Sequence, residues 1–134
     1  MQHPVPALSV AILLLTIALL ALIWMQTGGP RYIAVDGDTI RDPKTKQTIR
    51  ISNIDTPEMK AERPEERKAA QLAKARLQAI LQSGDIKFVP DEKRKKDKYG
   101  RDLGRILWGG KDVGDILVAE KLARPYSGGK RQPW

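Results

Sequence analysis

Nineteen consecutive residues near the N-terminus, Ala7 to Met25, are apolar but for Ser9 and Thr16, and they divide this 134-residue chain into two parts that cannot share one solvent. At 1.5 Å rise a helix of that length spans about 28 Å, close to the ~30 Å hydrocarbon core of a bilayer. Trp24 sits at its far end, where an amphipathic ring suits the membrane interface. A cleaved signal peptide would want a basic n-region, a shorter apolar run and a small-x-small exit. Here no Lys or Arg precedes the run, and it leaves through Leu22-Ile23-Trp24-Met25-Gln26. A buried helix of a soluble domain would show an apolar stripe instead of an apolar cylinder. Residues 1–26 therefore read as a single transmembrane helix or uncleaved signal, contacting the lipid bilayer through residues 7–25. Thr27-Gly28-Gly29-Pro30 follows as a breaker-rich linker.

All formal charge lies beyond residue 30, so the net +8 is carried by about a hundred residues, enough for one modest core. That excess favours a polyanionic partner, nucleic acid or anionic lipid. With no cysteine there are no disulfides or thiolate sites, and the lone His3 in the tail leaves nothing for histidine chemistry. Arg31 to Val35 reads as a strand, Asp36-Gly37 as a tight turn, Asp38 to Arg41 as the returning strand, and Gln47 to Asn53 as a period-two strand. Pro64 to Gln82 is a helix opened by Pro64, Glu65 and Glu66 and closed by Ser83-Gly84, with Ala69, Leu72, Ala73, Leu77, Ile80 and Leu81 on its apolar face. Asp85 to Val89 is a strand, Asp91 to Arg101 a charged loop, Leu103 to Trp108 another strand, and Asp112 caps a second helix with Asp115 three residues on. Strands first and helices late fit an α+β domain built on a five-stranded OB-type Greek-key β-barrel with two or three helices.

Three short stretches carry the chemistry. Val35-Asp36-Gly37-Asp38-Thr39, Ile54-Asp55-Thr56-Pro57-Glu58 and Asp97-Lys98-Tyr99-Gly100-Arg101 each read alone as a turn or acidic loop. Together they are more specific. Asp38 and Asp55 at strand ends can converge on a hard cation, and Glu58, three residues on, can hold a water as a general base. Arg50 and Arg101 can then clamp a phosphate.

In their order and separation these blocks resemble the signature of the staphylococcal-nuclease family, and Leu122-Ala123-Arg124-Pro125-Tyr126 resembles its closing segment. The likeness runs from Tyr32 to Tyr126, within a domain drawn at residues 31–126. It implies that Asp38, Asp55 and the carbonyl of Thr56 ligate Ca2+, with Asp36 near the metal. It further implies that Glu58 activates water, that Arg50 and Arg101 bind the scissile phosphate, that Lys98 and Tyr99 contact bound nucleotide, and that Tyr126 stacks on a base. The implied function is calcium-dependent hydrolysis of DNA and/or RNA by a monomer with no protein partner. Membrane side is pulled two ways. Arg31, Arg41 and Lys44 after the span place the domain in the cytoplasm by the positive-inside rule, whereas the resembled family's export and calcium use place it in the periplasm or outside, and the outer side is the one expected.

Two departures stand out: the loop Met59 to Arg63 is short, and the sequence stops soon after Tyr126, with no extended C-terminal helix. Residues 127–134 read as a flexible basic tail in which Trp134 has a chance to dock on the barrel. Lys93-Arg94-Lys95-Lys96 reads equally as a solvated turn or a phosphate contact, and Trp108 as core. The competing function is a non-catalytic OB-fold module that binds nucleic acid at the membrane, or a vestigial scaffold. A pure binder has little use for the acidic cluster and would want more aromatics.

Overall fold

The hydrophobic pattern of the chain resolves into one long apolar helix and a small mixed domain. The structure, a computed structural model, describes His3, Pro4 and residues 6–134. Met1 with its α-amine, Gln2 and Val5 of the predicted 1–26 segment lie outside the described residues. Helix α1 runs Ala7–Thr27, and each large apolar side chain along it is exposed, from Val10 at 43% to Met25 at 77%. It is long and apolar enough to cross a membrane.

The domain contains β1 (Ile33–Asp36), β2 (Thr39–Arg41), β3 (Thr48–Ile51), β4 (Ile54–Asp55), α2 (Pro64–Gln82), β5 (Ile86–Pro90), β6 (Asp102–Trp108), β7 (Lys111–Asp112), α3 (Val113–Ala119) and β8 (Arg124–Pro125). The main sheet runs β1-β2-β3-β6-β5, antiparallel throughout except for β3 against β6, with β7 added beside β6. Setting aside the two-residue strands, the spatial order is first, second, third, fifth, fourth with a parallel third–fifth pair. This is the five-stranded OB fold expected, and among the described ladders it stays open between β1 and β5. Its open edge at β1 is shielded by α2, whose Gln78 Oε1 accepts from the Ala34 N–H at 2.8 Å.

Inward residues of the alternating strands make the core. Ile40, Ile49, Ile51, Ile54 and Ile106 meet Leu77 and Ile80 of α2 and Val113 and Leu117 of α3, and Trp108 packs against the cluster from its edge. Helix α2 begins and ends where Pro64 and Ser83 put it: Ser83 donates its N–H and Oγ–H to the Ile80 carbonyl at 3.1 and 3.0 Å. Its buried face differs from the sequence reading at one step. Ala70 is fully buried while Leu72 is 55% exposed, because the sheet meets the helix along Ala70, Ala73, Leu77, Ile80 and Leu81. Helix α3 is capped as expected, Asp112 Oδ1 accepting from Asp115 N at 3.1 Å. The turn between β1 and β2 falls on Gly37-Asp38, one residue later than Asp36-Gly37.

Candidate active site

The turn at Gly37-Asp38 is pressed against the segment that carries Asp55. A Cβ at Gly37 would lie 2.7 Å from Ala73 Cβ and 3.0 Å from Thr56 Cβ, so glycine is needed for close approach, and its φ is not left-handed. That contact sets the first acidic block on the second. Asp38 is buried; its carbonyl accepts from Ile51 N at 2.8 Å and its Oδ1 from Thr39 Oγ1 at 3.1 Å. Asp36 Oδ1 accepts from Asp38 N at 3.2 Å. Burial, reinforced by the neighbouring Asp38 carboxylate, pushes the Asp36 carboxyl up to about 7.

Arg50 lies opposite Thr39 in the β2–β3 ladder, and its side chain enters the same buried space. Its Nη2 is 3.2 Å from Asp38 Oδ2 and 3.9 Å from Asp55 Oδ1. Its Nη1 donates to the carbonyls of Ile54, at 2.9 Å, and of Ile51. A buried guanidinium therefore joins the two carboxylates, each of which would be costly to bury alone.

Asp55 faces Arg124 across the β4–β8 pair, and Arg124 donates from Nε and Nη2 to its Oδ2 at 3.2 and 2.9 Å. Its Oδ1 accepts from Arg131 Nη1 at 2.9 Å. Arg131 Nη2 donates to Glu58 Oε1, so one guanidinium bridges both carboxylates. Asp55 and Glu58 border a hollow of 490 Å³ walled on one side by Arg131 to Trp134. Tyr126 stands over Arg50, ring centroid to Cζ 5.9 Å.

The third block lies on the loop that leads into β6. Lys98, Tyr99 and Arg101 gather on the charged loop, where the Lys98 ammonium and the Arg101 guanidinium lie 5.1 and 5.3 Å from the Tyr99 ring. Arg101 Nε donates to Asp97 Oδ2 at 2.6 Å. Tyr99 and Arg101 line a second hollow, of 320 Å³, that shares no residue with the first. The structure thus brings together Asp36, Asp38, Arg50, Asp55, Thr56, Glu58 and Tyr126, and it gathers Lys98, Tyr99 and Arg101 on the loop that leads into β6, whose Leu103 pairs with Arg50.

Sequence reasoning gave no role to Arg124 or Arg131. Arg124 pairs with Asp55 through two-residue strands too short to show a period, and Arg131 arrives on the segment read as a loose tail. The Gly128-Gly129 pair, with φ of 103° and 83°, was the available sign of a sharp reversal.

For a metal, the donors are hard oxygens: the buried carboxylates of Asp38 and Asp55 beside Thr56. Among the described residues no three acidic or imidazole groups cluster as a complete metal cage. Two carboxylates reaching one guanidinium nitrogen fit a hard cation that keeps water or substrate oxygens for its remaining positions.

Comparison with known proteins finds related sequences. Residues 48–133 match the model of the staphylococcal nuclease homologue family, a stretch that takes in Arg50, Asp55, Glu58, Arg101, Arg124 and Arg131. Endonuclease YncB of Bacillus subtilis (strain 168) is 36% identical over 93 residues, 68% of this chain and 44% of that protein. The SPbeta prophage-derived endonuclease YokF of the same strain is 37% identical over 93 residues, 68% of this chain and 31% of that protein. The chain spans less than half the length of these relatives. With the OB topology and the matched segment in agreement, the chain belongs to the staphylococcal nuclease homologue family.

Proposed function

We propose that this chain is a membrane-anchored, calcium-dependent nuclease that hydrolyses phosphodiester bonds in DNA and/or RNA. The observation that carries the proposal is Arg50, buried between Asp38 and Asp55, with Glu58 joined to that same Asp55 through Arg131. The relatives' names as endonucleases and the +8 charge point to the same polyanionic substrate.

Asp38, Asp55 and the Thr56 carbonyl would hold calcium, which supplies Lewis-acid polarisation of a phosphoryl oxygen. Glu58, half exposed at the rim of the hollow, takes the proton from an attacking water. Arg50, already fixed by two main-chain carbonyls, donates to the phosphate as its negative charge grows. Tyr126 offers a face for a base. Arg101 is the resemblance's second phosphate ligand; to act there it exchanges Asp97 for the phosphate, while Tyr99 and Lys98 meet a neighbouring nucleotide. Helix α1 would fix the domain to the bilayer, on the outer face where calcium is abundant.

Release of acid-soluble nucleotides from single-stranded DNA tests the reading. Calcium-dependent release is expected, abolished by chelator and reduced on the order of 10²–10⁴-fold by Glu58→Gln. Undiminished hydrolysis in excess chelator overturns the metal role, and binding without turnover favours the non-catalytic OB module. Protease accessibility in spheroplasts tests the outward orientation.

A further inference from the structure

Segment 127–134 is built as a strap. It turns sharply at Gly128 and Gly129, and the Tyr126 hydroxyl donates to the Gly129 carbonyl at 2.6 Å across the bend. Arg124 then donates from Nη1 to the Pro133 carbonyl at 3.0 Å and from Nη2 to the Gln132 carbonyl, and Arg63 Nη1 donates to the Trp134 carbonyl at 2.6 Å. The Trp134 ring covers the Arg124 guanidinium, 4.1 Å from centroid to Cζ. Main-chain carbonyls gripped by Arg124 and Arg63 fix the strap's path, and that path delivers one side chain into the acidic cluster.

That side chain is Arg131. Its planar guanidinium spends one terminal nitrogen on Asp55 Oδ1 and the other on Glu58 Oε1. Glu58 sits on an irregular loop after Pro57 and is half exposed, so its long side chain has rotamer freedom to lose. Because the spacing of the two nitrogens is set by covalent geometry, the fork fixes how far the Glu58 carboxylate stands from Asp55. Lysine, a point charge on a flexible stem, cannot impose such a spacing.

Resting on the nuclease reading above, we infer that Arg131 is a positioning residue for the hydrolysis, carried on the 127–134 strap to hold Glu58 at its working distance from Asp55. Arg131 touches no reacting atom in this scheme; it acts through Glu58. In Arg131→Ala the hollow and the buried Asp38–Arg50–Asp55 set remain, but the base swings free.

The experiment uses the full chain in detergent with single-stranded DNA and saturating calcium. Arg131→Ala lowers kcat on the order of 10- to 10²-fold, as for a displaced supporting residue, and leaves KM within about threefold. Arg131→Lys shows a similar loss of kcat and carries the test should the alanine variant fail to fold. Added guanidinium ion restores part of the activity of Arg131→Ala. In a Glu58→Gln background Arg131→Ala produces no further loss, since a residue acting only through Glu58 has nothing left to act on. An unchanged kcat, full rescue by lysine, or losses that multiply with Glu58→Gln overturn the inference. So does a faster Arg131→Ala enzyme, which would make the strap a plug. Cleavage by the intact chain, strongly reduced in Glu58→Gln and unaffected by Arg131→Ala, sinks this inference alone. No cleavage by the intact chain sinks the nuclease reading and this one with it.

Discussion

At the scale of single residues the site is a balance of buried charges. Asp38 and Asp55 share Arg50, so removing the guanidinium leaves two carboxylates desolvated with one partner fewer. Arg50→Met is expected to destabilise the metal-free domain by about 3–5 kcal/mol, the cost of breaking a buried pair from one side. Calcium should return part of that loss by supplying positive charge at the same oxygens. Urea denaturation with calcium and with chelator measures both, and equal losses in the two conditions would argue against a cation at Asp38 and Asp55. Asp97 makes a second, pH-dependent case. Burial alone would raise its carboxyl, but the Arg101 N–H, the Arg101 guanidinium and the Tyr99 N–H outweigh burial and hold it below the ordinary carboxylate value of 3.8. A depressed folded value stabilises the fold above pH ~4, and the gain is lost as pH falls through the folded value. Melting temperature should therefore drop on acidification below pH ~4, and Asp97→Asn should flatten that drop while loosening the turn that presents Tyr99 and Arg101. An unaltered acid limb in Asp97→Asn would remove this carboxylate from the account.

At the scale of elements, Gly104 on β6 shows how tightly the sheet closes. A Cβ there would lie 2.2 Å from the Val89 carbonyl oxygen and 2.5 Å from the Phe88 ring, at the Pro90↔Gly104 end of the β5–β6 ladder. Since main chain cannot yield as a flexible side chain does, Gly104→Ala is expected to cost about 3 kcal/mol or more, at the upper end for overpacking. Leu77→Ala should cost about 2–5 kcal/mol by leaving a cavity, whereas Leu72→Ala, at an exposed position, should change the denaturation midpoint little. The same helix shows what was legible in advance. Pro64, the acidic first turn and Ser83 gave both ends of α2, because capping chemistry is local. The choice of Ala70 over Leu72 for the interior was not legible, since the alanine stripe admits two neighbouring faces and the sheet's position decides. Likewise Asp38 and Arg50 were readable as chemistry from their motifs. Their meeting depends on the β2–β3 register, which sets Arg50 opposite Thr39, and on Gly37 against Thr56, which brings in Asp55, and neither contact leaves a periodic signal. Arg131 was hidden for the same reason: its partners lie 76 and 73 residues away, and only the strap's folded path connects them.

At the scale of the whole molecule two forces can hold the chain to a membrane, and they respond oppositely to salt. The domain's positive excess attracts anionic headgroups, at ~1 kcal/mol per basic residue near the surface, and decays within a Debye length of about 10 Å at 0.1 M salt. Helix α1 acts by transfer of apolar surface, which salt strengthens. With its large apolar side chains exposed along its whole length, α1 has no stable place in water, and the domain's core is complete without it. From Gln26 to Ile33 the chain reaches at most about 25 Å, so a domain hung from this helix stays at the bilayer surface. There its positive charge would attract nucleic acid and headgroups alike, and the two would compete. Two results should follow in a membrane fraction carrying the full chain. Washing with 1 M salt, then with alkaline carbonate, should leave the protein in the pellet. Adding anionic lipid to the membranes should raise the concentration of DNA needed for half-maximal hydrolysis, an effect that shrinks as salt is raised. Release of the protein by salt alone would mean that charge holds it and that α1 does not span the bilayer. Retention combined with lipid-independent hydrolysis would mean that the helix anchors the domain while its positive charge stays clear of the headgroups.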